Sequence, residues 1–336
     1  MFQIKKPYLL FLGDAPDFLA AKTARGIYDW RPENVTGQLR FKNCAVDLGV
    51  PDMSLEEAYN AGARTMVLGT ANRGGVIPQT WVETLKTALE TGYDIANGLH
   101  SKVADIEEVA ALADKLGRQI FDVRHPKGKI EIGTGEKRPG KRLLPVGTDC
   151  SCGKMYTSLS LERDMHKRGL NATFRATGQT GILIEGSGIS VDAVVADFIA
   201  GAVEELSPSN KPDHWDIIEG QGSLGHPSYS GVTLGLIHGA QPDAMVLCHE
   251  PTRTHMRGLP HQPLPSIEQT IRLATELART VNPAACFQGI CVNTTHMEEG
   301  EISSYLKALE DEHGLPAVDP FKHGTDPIID RLISEV

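Results

Sequence analysis

The stretch Leu143-Leu144-Pro145-Val146-Gly147-Thr148-Asp149-Cys150-Ser151-Cys152-Gly153-Lys154 limits the folds open to this chain more than any other. An apolar run enters a loop that starts at Gly147 and closes on Gly153-Lys154. A helix-like segment follows from Met155 to Arg168 and ends at Gly169. Strand, glycine-bounded loop, Gly-Lys and helix form the pattern of a phosphate-binding loop. Glycines let backbone N–H groups turn inward around an anion, and the helix N-terminus adds partial positive charge. Lys154 contributes a point charge at the phosphates. The cofactor-binding candidates are therefore Gly147, Thr148, Asp149, Cys150, Ser151, Cys152, Gly153 and Lys154. The plainer alternative is a Gly-rich turn between a strand and a helix.

Two departures qualify the pattern. Five residues separate Gly147 from Gly153, where the common form has about four. Met155 follows Lys154, where a nucleotide hydrolase keeps a Ser or Thr hydroxyl for Mg²⁺. Thr157 and Ser158 lie further along the helix. Phosphate binding reads as retained, and metal-assisted phosphoryl transfer as compromised.

A chain of 336 residues can build two domains with full cores. The net charge of -10 argues against a nucleic-acid binder, whose footprint is basic. No run reaches the roughly 18–20 apolar residues of a membrane span, and the apolar run Tyr8–Leu12 is too short for a signal peptide. A soluble, cytoplasmic protein is expected, working on a small molecule as an assembly of identical copies. Six scattered cysteines, at 44, 150, 152, 248, 286 and 291, suit buried reduced thiols better than a disulfide framework. No metal site is expected, since Cys150-x-Cys152 has no second pair. A helix N-terminus lowers a thiol's pKa, so Cys150 reads as a redox or thioester-forming group or as a small packing side chain.

The first half alternates apolar runs with helical stretches, the grammar of an α/β fold. Strands are expected at Tyr8–Gly13, Thr65–Gly69, Tyr93–Ala96 and Gln119–Val123. Helices are expected at Ser54–Ala63, with Ser54 and Glu57 forming a capping box, at Pro78–Thr91 and at Asp105–Leu116. Strand-end loops of open α/β sheets face ligands, which marks Arg73 as a candidate for an acidic substrate and His100 as a proton carrier. There is no G-x-G-x-x-G, so a nicotinamide cofactor is not indicated. The polar, basic, Gly/Pro-rich segment from His125 to Arg142 holds the boundary between a Rossmann-like domain, 1–135, and a P-loop domain, 136–336.

In the second half a strand at Asn171–Ala176 leads into Thr177-Gly178-Gln179-Thr180-Gly181, a loop that lines a ligand cleft through Gln179 or is a plain turn. A helix is expected over Asp192–Leu206. The apolar run ending at Ile218 then discharges into Glu219-Gly220-Gln221-Gly222-Ser223, where Glu219 can accept a proton or hold a metal. His226 follows on the same loop. Another apolar run ends in Cys248-His249-Glu250-Pro251-Thr252-Arg253, with Arg257 beyond. His249 and Glu250 are base candidates, and Arg253 and Arg257 can clamp a carboxylate or phosphate. A helix at Ser266–Thr280, a strand at Cys286–Asn293 and a helix at Glu301–Glu312 complete the expected elements.

The loop Gly147–Lys154 resembles the long phosphate loop of dethiobiotin synthetase-like proteins. A more specific set comprises Ala71-Asn72-Arg73-Gly74-Gly75, Asn97-Gly98-Leu99-His100, Ala176-Thr177-Gly178-Gln179-Thr180-Gly181, Glu219-Gly220-Gln221-Gly222-Ser223 and Cys248-His249-Glu250-Pro251-Thr252-Arg253. Together they resemble a two-domain family, long without an assigned function, that includes the D-glutamate N-acetyltransferases of bacterial D-glutamate catabolism. Tyr156 stands where that family is expected to carry Thr. The resemblance implies acetyl transfer from acetyl-CoA, as co-substrate, to the amino group of D-glutamate; direct transfer in a ternary complex is expected, the rival being an acyl-cysteine route through Cys150. Substrate-binding candidates are then Arg73, Gln179, Arg253 and Arg257. The proton acceptor is one of Glu219, His226, His249 and Glu250, and the Gly220 or Gly222 amides could hold the oxyanion. The competing reading is an ATP-dependent ligase or kinase, with Mg²⁺ held by Glu219 and Asp149.

Overall fold

The computed structural model describes residues 2–71, 73–126 and 128–335, and of Arg73 the backbone alone. The chain divides into two compact units, Met1–Lys127 with Gly178–Ala193, and Gly128–Thr177 with Val194–Val336.

The first unit runs β1 (Tyr8–Gly13), α1 (Lys22–Trp30), β2 (Val35–Arg40), α2 (Leu55–Asn60), β3 (Thr65–Leu68), α3 (Val82–Thr91), β4 (Asp94–Asn97), α4 (Glu107–Leu116) and β5 (Ile120–Asp122). All its strands pair in parallel, in the order β2-β1-β3-β4-β5. Parallel strands covered on both faces read as continuous apolar runs, and Tyr8, Leu9, Leu10, Phe11 and Leu12 are all fully buried. Leu9, Phe11, Met66 and Leu68 face Val82, Leu85 and Leu89 of α3 and Ala58 of α2. The expected capping box starts α2: the Ser54 hydroxyl accepts from the Glu57 amide, and the Glu57 carboxylate accepts from the Ser54 amide. In this strand order the direction of winding reverses between β1 and β3, and ligands of such sheets sit outside the strand ends at that point. The backbone of Arg73 opens a short 3₁₀ turn there, directly after β3.

The second unit contains β6 (Lys141–Gly147), α5 (Lys154–Lys167) and β7 (Ala172–Arg175). The chain then supplies α6 (Gln179–Glu185) to the first unit, where it packs on α1. Back in the second unit come α7 (Ile199–Leu206), β8 (Trp215–Ile218), α8 (Ser230–Ala240), β9 (Ala244–His249) and the hairpin β10 (His255–Met256) and β11 (Leu259–Pro263). The last elements are α9 (Ile267–Arg279), β12 (Cys286–Val292), α10 (Glu299–His313), β13 (Ala317–Val318) and α11 (Asp326–Glu335). The sheet is parallel throughout, in the order β13-β12-β9-β6-β8-β7. One face packs Leu143, Ile217, Val246 and Cys248 against Leu161 and Met165 of α5 and Ile328, Ile329 and Leu332 of α11. Contacts of α8 with β6, and of α9 with β9 and β12, cover the other.

Three expectations change. The unit boundary falls at 127/128 rather than 135/136, because Glu204 of α7 accepts hydrogen bonds from the Thr134 and Gly135 amides at 2.9 and 3.0 Å and holds that segment in the second unit. Gln179 is not in a loop: it opens α6, whose Ile182, Leu183 and Ile184 are fully buried. The helix expected over Asp192–Leu206 is regular only from Ile199, after two 3₁₀ turns at Val191–Ala193 and Ala196–Phe198. Missed altogether were α1, β2, α8, the β10–β11 hairpin, β13 and α11.

Buried carboxylates pin α5 to its surroundings. Glu162 accepts from the Phe174 amide at 2.8 Å. Asp164 accepts from Arg163 at 2.8 Å, from Lys167 at 2.9 Å, and from the Thr325 amide and hydroxyl at 3.0 and 3.1 Å. Burial alone would raise the Asp164 carboxyl, but these donors outweigh it and bring it down to about 2. Its stabilising effect is thus complete above the unfolded value of about 3.9 and is lost as pH falls through about 2. Asp164→Asn is expected to cost about 1–3 kcal/mol at pH 7 in urea unfolding, and to cost progressively less below pH 4.

Candidate active site

The phosphate-loop strand β6 lies between β8 and β9, so the loop, Glu219 and His249 emerge at one edge of the sheet. The register aligns Gly147 with Cys248, and the Thr148 amide donates to the Cys248 carbonyl at 3.1 Å. On the other side Leu143 aligns with Ile217, which brings Gly220 beside Pro145. A Cβ at Gly220 would stand 1.9 Å from the Pro145 carbonyl oxygen and 2.9 Å from Cδ of Lys154. Only glycine permits that approach.

The loop is tight. A Cβ at Gly147 would lie 2.5 Å from Sγ of Cys152. Ser151 takes φ +53°, in the left-handed region, a conformation that costs a non-glycine residue about 1–3 kcal/mol and persists only when surroundings enforce it. The enforcing groups are on the β9–β10 loop and the turn after β10. Arg253 donates to the Asp149 carboxylate at 2.7 Å and to the Cys150 carbonyl at 2.6 Å, and also pairs with Glu250. The Arg257 amide donates to the same Asp149 carboxylate at 2.8 Å, and its guanidinium bonds the Ser151 hydroxyl. Lys154, buried at the start of α5, reaches back to the Asp149 carbonyl at 2.8 Å.

The four acid–base candidates differ sharply in state. His226 is buried with both ring nitrogens engaged: Nδ1 accepts from the Ser228 amide and Nε2 faces the Arg257 carbonyl, each at 3.2 Å. Glu250 is paired with Arg253. Glu219 is buried, with its carboxylate accepting from the Thr177 amide at 2.9 Å and from the Gln221 side chain at 3.2 Å. His249 meets the Thr148 hydroxyl through Nδ1 at 3.1 Å. Burial pushes its pKa down to about 4, despite Glu250 nearby, so it is neutral at physiological pH. Thr177 and Gln221 were legible only as members of polar loops, and nothing in the sequence marked Thr148 as the partner of His249.

Asp149, Cys150 and His226 present donor atoms within 4.8 Å of one another. The Asp149 carboxylate already answers Arg253 and the Arg257 amide, and the His226 ring is fully hydrogen-bonded, so the set is a poor metal cage. Burial, the largest influence, pushes the Cys150 thiol above its ordinary range although Lys154 opposes it. That is the wrong direction for a nucleophilic thiolate. The hydroxyls beyond Met155 face inward: Thr157 accepts from Cys248 Sγ at 3.3 Å, and Ser158 donates to the Lys154 carbonyl at 3.0 Å, both buried.

The structure thus gathers Glu219, His226, His249, Glu250, Arg253 and Arg257 around residues 147–154 within the second unit. It does not gather Arg73 and Gln179 with them by any contact inside that unit, for both belong to the first. Gln179 is half-buried there, packed by Gly98, and the side chain of Arg73 lies outside the described residues.

Fold and site define an α/β protein with a Rossmann-like unit followed by a P-loop unit. Residues 40–126 match the Rossmann-like domain of unknown function DUF1611_N, and residues 131–329 match the P-loop domain of unknown function DUF1611_C. The chain belongs to the DUF1611 family. It is 56% identical to a D-glutamate N-acetyltransferase of Tritonibacter scottomollicae and 50% identical to one of a Pseudoalteromonas species, each over 98% of this chain and 99% of the relative. The crystal structure of a DUF1611 family protein from Anabaena variabilis superposes with a TM-score of 0.84 at 34% identity, over 98% of this chain and all of that one. Among the described residues no helix is long and apolar enough to cross a membrane.

The half-buried neutral imidazole of His249 gives a pH signature. Between pH 6.5 and 4 the unfolded chain takes up a proton at His249 that the folded chain refuses, so stability falls with pH across that window. His249→Gln is expected to flatten the dependence of urea-unfolding free energy on pH between these values. An unchanged slope would show that His249 titrates normally.

Proposed function

We propose that this chain is an acyltransferase that moves the acetyl group of acetyl-CoA to the amino nitrogen of D-glutamate. The observation that carries this reading is near-full-length similarity, at 56% and 50% identity, to two D-glutamate N-acetyltransferases. The site's chemistry supports it. Coenzyme A carries a pyrophosphate and a ribose phosphate, which suit a tight loop, a helix N-terminus and Lys154. With Met155 after the lysine and the Thr157 and Ser158 hydroxyls turned inward, the loop is better fitted to anchoring a phosphate than to positioning Mg²⁺ for its transfer.

In this reading the loop residues and Lys154 hold the phosphates, and the exposed guanidinium of Arg257 attracts a carboxylate of the amino acid. Arg253 keeps the loop shaped through Asp149 and Glu250 rather than meeting substrate. The ammonium sheds one proton to solvent before its nitrogen attacks the thioester carbon; the second leaves as the C–N bond forms and passes to the thiolate as the C–S bond breaks. His249 carries that second proton: its ring is oriented by Thr148 and unprotonated, and Nε2 is the nitrogen left over from that contact.

Two measurements test these assignments. Lys154→Ala is expected to weaken acetyl-CoA binding at least tenfold by isothermal titration without altering the thermal melt. Tight Mg-ATP binding by the unmodified protein, with no acetyl-CoA binding, would overturn the reading. His249→Gln is expected to lower kcat roughly 10²–10⁴-fold with little change in the KM for acetyl-CoA. If Glu219→Gln shows that pattern and His249→Gln does not, Glu219 is the base.

A further inference from the structure

Phe321 is a large apolar side chain left 60% exposed beside the first turn of α5. Its ring meets the ring of Tyr156 with centroids 5.9 Å apart and planes at 63°. Tyr156 stands two residues beyond Lys154, so the aromatic pair lies at the rim of the phosphate loop. Its loop is held firmly. Asp319, just past β13, accepts from the Phe321 and Lys322 amides at 2.9 and 3.1 Å through one oxygen. Through the other it accepts from the Thr294 hydroxyl at 2.5 Å. Thr294 follows Asn293 at the end of β12, and the Cβ of Asn293 lies 3.9 Å from where a side chain on Gly153 would begin. Contacts therefore run from the phosphate loop through Asn293, Thr294 and Asp319 to Phe321, and return through Tyr156.

A rigid aromatic surface kept in water beside a phosphate site has the chemistry of a base platform: every purine has a π face, and stacking on a side-chain ring binds it without base-specific hydrogen bonds. We propose that Phe321, braced by Tyr156, stacks the adenine ring of a ligand whose phosphates lie on residues 147–154. Adenine is joined to its phosphates through a single ribose, so its platform must sit at the rim of the phosphate site, where this pair is. The proposal rests on the reading of the loop as a coenzyme A site and commits to coenzyme A. An adenine nucleotide shares the same chemistry.

The test is isothermal titration of the full chain with coenzyme A, ADP and 4′-phosphopantetheine, using the unmodified protein, Phe321→Ala and Phe321→Trp. Phe321→Ala is expected to weaken coenzyme A roughly tenfold to a hundredfold, to leave 4′-phosphopantetheine unchanged, and to melt at the same temperature. Phe321→Trp is expected to bind coenzyme A at least as tightly as the unmodified protein. Undiminished coenzyme A binding by Phe321→Ala, or an equal loss for 4′-phosphopantetheine, would overturn the platform and leave the acetyl-CoA reading standing. If the unmodified protein binds ADP and not coenzyme A, and Phe321→Ala weakens ADP, the platform stands and the acetyl-CoA reading falls.

Discussion

The placement of β6 between β8 and β9 is the constraint on which the rest of this site depends. Parallel pairing brings three strand ends to one edge, and each end delivers a different chemical part. β6 carries the phosphate loop, β8 carries Glu219 and Gly220, and β9 carries His249 and the loop with Glu250 and Arg253, with Arg257 just past β10. The spacing leaves no slack, since the backbone of Gly220 is pressed on the Pro145 carbonyl. Residues about a hundred positions apart in sequence, such as Thr148 and His249, become hydrogen-bonded neighbours through register alone.

Charge within the site is divided between shaping and binding. Asp149 looks in sequence like a metal ligand, yet its carboxylate takes up Arg253 and the Arg257 amide and so holds a loop that contains the strained Ser151. Arg253 is itself shared with Glu250. These pairs leave Lys154, the helix N-terminus and the Arg257 guanidinium as the positive groups around the loop without a carboxylate partner in this cluster, an arrangement suited to anions. Burial, not partner charge, sets the titration of the two groups that sequence reading found most ambiguous. It lowers His249, which keeps that imidazole unprotonated at neutral pH, and raises Cys150, which disfavours a thiolate nucleophile.

The sequence was most legible where local chemistry decides the outcome. The run Leu143–Val146, the glycine-bounded loop and the capping box at Ser54 each carry their structure in a few adjacent residues, and so both units and the α/β class could be read directly. Legibility failed where partners are distant. The Gly178–Glu185 segment reads as a polar turn because its first residues are small, while its apolar half finds cover on α1 and beside Gly98. The boundary near residue 130 depends on distant contacts with α7: Glu204, seventy positions away, and the close packing of Glu131 and Gly133 on Ala200 and Gly201. By residue type Arg253 suits a substrate clamp, and only the fold reveals Asp149 beside it. Phe321 carried no signal at all, since an isolated aromatic gains meaning only from what it stands against.

The most direct test of the account is turnover by the purified protein given acetyl-CoA with D-glutamate, followed by the release of free thiol and by mass spectrometry of the amino acid. One coenzyme A thiol is expected for each N-acetylated D-glutamate formed, with no requirement for ATP. Absence of thiol release, together with phosphate released from Mg-ATP when an acidic substrate is present, would contradict it.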